Sequence, residues 1–531
     1  MPKAPAAPFD FYTNTGGMIT INSGIRVPLG SALNAINVNL TPIGGFSSRN
    51  GYTILNSTAF NSGAIMTGLY DAAYSSGTNV LIGTGGNKIQ KMDSLDGTWD
   101  DLTGALTLTA GENNLYSFAM LNDIVVCAND VDNCIQVSSA LSASSIGAGT
   151  FTSALFCVEY RGYMFYGNTV ESAVREPDRL RFSNNNVPGT LTSTDTILVH
   201  KKQGGQLRGA IVYRDRLLCF KENGLYEILF QPTRVASDGT VFPFIQNPNP
   251  LIIGVGAQSH RTLIHFSTPP THKAPDDYIF FVDQYGMPRI YAGGNFALPV
   301  GYPISKSRDT AILCLSDMVH SVAALRSQYA INYPERSQIW VFQSDSSQMD
   351  TCWCLDYSTE WAWSRHSFPE AFTCGALVRH TDGTFRVFTG NRTGTTYRHD
   401  TTVLDNATAI SWSYLTGDIF KSSVAIKSNW PLFEVRGSSG SDSQSINISF
   451  GKDGEDIPTS QATVVLYSTQ TKWAQFKWAQ AKWAKKGLIT RTVEPNLDAK
   501  TVRTRFSDVV GSQATVEGWT HFPITQGTAN E

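Results

Sequence analysis

Nine histidines are the first candidates for metal or proton chemistry: His200, His260, His265, His272, His320, His366, His380, His399 and His521. None stands in an HxxxH or HExxH arrangement, the spacing that sets two imidazoles on one helix face for zinc. His260 and His265 are five apart, and an odd step puts them on opposite faces of a strand. They read as surface or core histidines. For nucleophilic chemistry, "G-x-S-x-G" is absent, and "GSSGSDS" (437–443) is a polar loop rather than a strand-to-helix elbow. Glycoside hydrolysis needs two carboxylates about 5–10 Å apart. Asp123, Asp215, Asp277 and Asp283 are the candidates, but Asp123 and Asp215 fall at turns, where Asp caps its own backbone. "GTGGNK" (83–88) lacks the phosphate-loop spacing and reads as a hairpin turn. "DGTWDD" and "GKDGEDI" cluster the oxygens that Ca²⁺ favours, without the twelve-residue order of a calcium loop. The sequence therefore assigns no catalytic, cofactor-binding or metal residue, and the expectation is a protein that is not an enzyme.

One further stretch carries unusual chemistry. "TKWAQFKWAQAKWAKKG" (471–487) spaces Trp473, Trp478 and Trp483 five apart among Lys472, Lys477, Lys482, Lys485 and Lys486. A five-residue step turns about 140° in a helix and changes face in a strand, so no single aromatic stripe results. As a functional patch, the lysines would meet phosphates or lipid headgroups while the rings stack or wedge. As a plain structural element, the rings would cover the core of a β module and the lysines would blunt its edge. The near-identical pentapeptides point to local duplication and favour this second reading. As a third reading, the repeat would line a channel or a contact between ring subunits.

The elements that must position these residues are β-strands. The chain has 531 residues, of which 41% are hydrophobic and only 16% charged. Gly, Ser, Thr and Asn are abundant, the composition of a turn-rich β protein. A net charge of −3 offers no global attraction for nucleic acid. The eight cysteines show no CxxC spacing and mostly sit in apolar runs such as "IVVCA" and "RLLCF", so buried free thiols and a reducing cytoplasm are expected. The N-terminal stretch has no apolar h-region, and no apolar run approaches 18 residues, so neither a secretory signal nor membrane insertion is expected.

Short apolar runs joined by Asn, Asp and Gly turns recur from near residues 67, 115, 155, 209, 263, 321 and 375. "LYSFAMLNDIVVCANDVDNCIQVSS" turns at Asn122-Asp123 and again at Asn129-Asp130. "GAIVYRDRLLCFKENGLYEILF" turns at Arg214-Asp215 and at Asn223-Gly224. Asn-Gly predicts a type I′ turn, which needs positive φ at both positions. A period of about 40–58 residues with three or four strands predicts a β-propeller of six to eight blades, seven favoured. A shared "Y-R-x-x" start in Tyr160–Phe165 and Tyr213–Leu218 ties two of the copies together. The predicted layout is an N-terminal β segment over 1–60 that closes a blade or makes a subunit contact, the propeller over 61–404, and a C-terminal antiparallel β-sandwich module over 405–531. Tyr163, Phe165, Tyr166, Trp340, Trp353, Trp361 and Trp363 are expected to divide between blade core and neighbour contacts.

Both ends carry local motifs. Gly16-Gly17 is followed by "ALNAINVNL", then by "GGFSSRNGYT" with Arg49, Gly51 and Tyr52, and the chain closes through "KTVRTRFSDVVGSQATVEGWTHF" with Gly518-Trp519. This ordered layout resembles the tail nozzle (tail tubular B-like, tail stabilisation) proteins of short-tailed bacteriophages. Ser47-Ser48 depart from it where a basic residue is expected. The resemblance implies a virion structural protein made in the bacterial host cytoplasm and assembled as a homohexameric ring around the DNA exit channel. It would sit below a tail adaptor, carry fibres or needle and plug proteins, touch viral DNA transiently, and need no cofactor. The other functions open to such a chain are a glycan-binding propeller (a lectin or adhesin) and a propeller glycoside hydrolase.

Overall fold

The computed structural model describes residues 9–10, 16–19, 27, 30–41, 44–93, 95–146, 151–192, 194–233, 242–269, 276–294, 296–300, 321–343, 351–358, 361–380, 382–420, 427–439, 444–455, 460–466, 489–509 and 513–525. Strands dominate. Their turns adopt positive φ: Asn122-Asp123, Arg161-Gly162 and Arg214-Asp215 all have φ between 44° and 79° at both positions, as two-residue hairpins require, with Asn, Asp or Gly at one position at least. Asn223-Gly224 differs from expectation, since neither residue has positive φ. The turn is Glu222-Asn223, whose amides donate to Gln206 O and Gly204 O, while Gly224 starts the next strand. Its missing side chain lets the Tyr226 ring lie across it, 2.8 Å from where a Cβ would be.

These hairpins build seven antiparallel sheets in chain order. Their first strands are Met66–Ala73, Ser117–Leu121, Ser153–Tyr160, Leu207–Tyr213, Ile264–Ser267, Tyr329–Tyr333 and Phe372–Arg379. Each first strand touches the next, and Phe372–Arg379 returns to Met66–Ala73. The core is divided in much the same way: six apolar clusters each fill the gap between two successive sheets, and the seventh and largest joins the fifth and sixth blades to the sandwich. Phe60, Met66, Leu81, Cys374 and Phe388 close the ring between the seventh sheet and the first. The protein is a seven-bladed β-propeller carrying an additional β module. The "Y-R" repeat proves to be a latch between blades. Tyr160 Oη donates to Asp215 O at 2.8 Å and Arg161 pairs with Asp215, while one blade on, Tyr213 Oη donates to Asp277 O at 2.9 Å and Arg214 pairs with Asp276.

The sheets cross the boundaries drawn from the sequence. Gly51–Ile54 pairs with Thr396–Thr402 and completes the seventh blade. Ser31–Ile36 joins the outer strand of the sixth blade, Ala362–Ser367, in parallel at Ile36 and Arg365. From there the sheet runs on through Ser413–Thr416, Val502–Asp508, Gln444–Lys452 and Ser460–Leu466, ten strands in all. A second sheet faces it, with Val38–Leu40 and Phe46–Ser48 beside Ala514–Thr525, Ser428–Ser439 and Ile489–Val493. The sandwich is thus built from both ends of the chain and shares a sheet with the propeller. Of the aromatic residues expected to divide between core and neighbours, Phe165, Tyr166, Trp340, Trp353, Trp361 and Trp363 are buried, and Tyr163 is half-buried. Seven cysteines are free and buried, and Cys314 lies outside the described residues. No helix among the described residues is long and apolar enough to cross a membrane.

Candidate functional site

The motifs at the two ends of the sequence meet at the seam between propeller and sandwich. Arg49 stands at its centre, 2% exposed. A guanidinium carries five N–H donors in a fixed fork, and all five are used. Nε donates to Asn37 Oδ1 at 2.9 Å. Nη1 donates to Asn50 O at 3.0 Å and Asp405 Oδ1 at 2.8 Å. Nη2 donates to Ser367 O at 2.8 Å and Asp405 Oδ2 at 2.5 Å. The guanidinium carbon lies 4.4 Å from the Phe368 ring centroid. One side chain therefore ties the N-terminal strands, the edge of the sixth blade and the chain leaving the seventh. A bidentate, fully donated Arg–carboxylate pair is the geometry in which a buried charge is compensated.

The neighbouring motif residues serve the same joint. Asn37, at φ 55°, donates through Nδ2 to Ser411 O at 2.7 Å and accepts from Ser367 N at 2.8 Å. A Cβ on Gly51 would stand 1.9 Å from Leu404 O, so only glycine lets the two backbones approach. Gly17, at φ 62°, lies against the sixth blade, where a Cβ would meet Trp363 N at 2.4 Å. Tyr52 is fully buried against Phe368, Phe372, Tyr397 and His399. In the sandwich, Trp519 packs on Phe46, Tyr414 and Phe506. Buried Arg503 pairs with Asp418 at 2.6 Å.

Electrostatics at the seam are those of a dry core. Burial, helped by the Arg49 charge, pushes His366 down to about 3 and holds His399 well below its ordinary value. Burial alone brings His521 to about 3. Sequence reasoning picked out Arg49, Gly51 and Tyr52 but missed Asp405, Asn37 and Ser367. Asn37 stood as a polar break between two apolar strand segments. Asp405 carried no signal that could link it to a residue 356 positions away.

The carboxylates proposed for glycoside chemistry are dispersed. Asp123 takes the amide and hydroxyl of Ser75, Asp215 pairs with Arg161, and Asp277 accepts from Ser267. Asp283 is fully buried, bound to Arg289 at 2.6 Å and to the amides of Tyr285 and Met287. They lie on the second, fourth and fifth blades; Asp123 reaches Ser75 of the first blade instead of capping its own turn, Asp277 is bonded to Ser267, and Asp215 and Asp283 are held in ion pairs. His200 bonds Asn247 O, His399 meets Thr389 and His521 meets Thr504, while His272 and His320 lie outside the described residues. Among the described residues, no three His, Cys, Asp or Glu side chains are grouped to hold a metal. A concavity of about 370 Å³ between the first and seventh blades holds Asp71, whose carboxyl is raised by burial although Arg379 N donates to it at 2.9 Å.

The patch Lys472, Trp473, Lys477, Trp478, Lys482, Trp483, Lys485 and Lys486 lies outside the described residues. The strands before and after it, Ser460–Leu466 and Ile489–Val493, stand at the ends of the strand order in the two sandwich sheets.

No protein-family model matches the chain, and no curated protein matches it. Among solved structures it is similar to the β-propeller domain of Cps50 (Swd1) from Myceliophteria thermophila, at 9% identity and TM-score 0.39, over 64% of this chain and 98% of that one. It is also similar to BBS1N from a complex with ARL6DN, at 10% identity and TM-score 0.38, over 66% of this chain and 97% of that one.

Proposed function

We propose that this chain is a non-enzymatic structural subunit of a short-tailed phage tail, forming a homohexameric nozzle ring around the DNA exit channel. The observation that carries the reading is the seam. The segments on which the nozzle resemblance rests, around Gly17, Arg49-Gly51-Tyr52 and Trp519, lie in one joint that fuses propeller and sandwich through a shared ten-stranded sheet. A propeller mounted on such a sheet is a stiff strut, suited to transmitting load between an adaptor above and fibre, needle or plug proteins around it. In this reading the Lys/Trp repeat belongs to a subunit contact or to the channel wall, where a modest charge repeated around a ring adds into a strong field.

The test is the solution mass by light scattering, with negative-stain images of the same sample, alone and with tail components. Six-fold rings are the expected result. A monomer under every condition would overturn the proposal, and a glycan-array signal from that monomer would move the protein to the lectin class.

A further inference from the structure

The ring of blades leaves a cavity of about 330 Å³. Its walls come from the starts of the innermost strands: Ser117 and Leu155 from the second and third blades, Arg208 from the fourth, and Arg261 from the turn His260–Thr262 that leads into the fifth. The short helix Val322–Ser327, which leads into the sixth blade, adds Arg326. The cavity is therefore axial, at one mouth of the propeller.

Charge in it is unevenly compensated. Glu222 takes Arg208 through Nε at 3.0 Å and Nη2 at 2.5 Å, and Arg326 at 3.3 Å. Asp130 is engaged by Arg175 at 2.6 Å. Arg261 has no carboxylate within ion-pair distance among the described residues. Its Nη2 donates to Thr373 O at 2.9 Å, its Nη1 reaches Ser327 O at 3.4 Å, and its guanidinium lies 5.0 Å from the Tyr329 ring centroid. Of five N–H donors, three have no acceptor among the described residues. His260 beside it stacks on Phe156 at 5.0 Å and is held neutral by burial. Gln258, 8% exposed, also lines the wall.

A half-buried cation with uncommitted donors and no carboxylate partner among the described residues favours an anion that accepts two parallel hydrogen bonds. We propose that the axial cavity binds a small oxyanion ligand, a carboxylate or a phosphate monoester, held by Arg261 and assisted by Arg326. The site is independent of ring assembly and of the seam.

The test is thermal unfolding and calorimetric titration of the full chain with inorganic phosphate and with citrate, against chloride at constant ionic strength. A saturable rise in Tm with either anion, abolished in Arg261→Met and weakened about five- to tenfold in Arg326→Ala, is expected. Response to phosphate alone or citrate alone identifies the source of the oxyanion. Arg326 is 47% exposed, so Arg326→Ala decides the matter should Arg261→Met fail to fold. Shifts no larger than chloride gives, or shifts unchanged in the variants, would overturn the site.

Discussion

Arg49 at the seam and Arg261 at the axial mouth are the same side chain put to opposite uses. Arg49 spends every donor on the protein itself, with a carboxylate held by both oxygens and three further acceptors, from Asn37, Ser367 and the adjacent Asn50. Arg261 spends two donors on main-chain carbonyls, and its other three meet no acceptor among the described residues. A satisfied, neutralised arginine is a rivet, because any departure exposes a buried charge. An unsatisfied arginine at a cavity wall is a receptor, because its remaining hydrogen-bonding capacity can be met only from outside.

The largest effect that would test this contrast is at Asp405. Asp405→Leu should lower stability by about 3–5 kcal/mol, since it leaves the Arg49 charge buried and uncompensated. Equilibrium urea unfolding measures it, and a loss under 1 kcal/mol would show that the seam is not riveted there. Next comes acidity. His366 and His521 are neutral in the fold with values near 3 and gain protons on unfolding below their ordinary value of 6.5. Their contribution is complete above about pH 6.5 and is lost as the pH falls towards 3. Between pH 6.5 and 5 each should cost about 2 kcal/mol. His366→Phe should flatten the dependence of the urea midpoint on pH, and an unchanged slope would remove this histidine from the account. Third, Arg261→Met should cost only about 1 kcal/mol of stability, the net worth of a hydrogen bond or two. A loss as large as that of Asp405→Leu would erase the distinction between rivet and receptor. Smallest is Asp123→Asn, at a surface turn, expected to leave the urea midpoint of the parent unchanged in the same unfolding series. A lower midpoint would mean that its bond to Ser75 holds two blades together.

The contrast also separates what a sequence discloses from what it hides. The propeller was legible because its signals are local. Apolar runs and turn residues set each hairpin, and the copies read from residues 115, 155, 209 and 375 fall within three residues of the strands that begin at Ser117, Ser153, Leu207 and Phe372. Even there, local chemistry could mislead. Asn223-Gly224 has the strongest turn composition but is displaced by one residue, because the 204–206 loop takes the turn's amides and Tyr226 claims the space over Gly224. The seam was half legible. Gly17, Gly51 and Arg49 stood out as residues, yet their counterparts Trp363, Leu404 and Asp405 lie more than 340 positions along the chain. No periodicity spans such a distance. Nor could pattern alone reveal that Ser31–Ile36 lies between a propeller blade and a C-terminal strand.

That placement sets the order in which the molecule can be completed on the ribosome. Ser31–Ile36 emerges early, but Arg365 on one side and Ser413–Thr416 on the other emerge more than 300 residues later. At about 5–20 residues per second this is a wait of tens of seconds. Gly51–Ile54 waits almost as long for Thr396–Thr402. Throughout translation, the first-made strands are open edges beside a growing, unclosed ring, free to pair with the wrong chain in a crowded polysome. Only when the final strand, Ala514–Thr525, settles beside Phe46–Ser48 do the earliest and latest parts of the polypeptide cover one another.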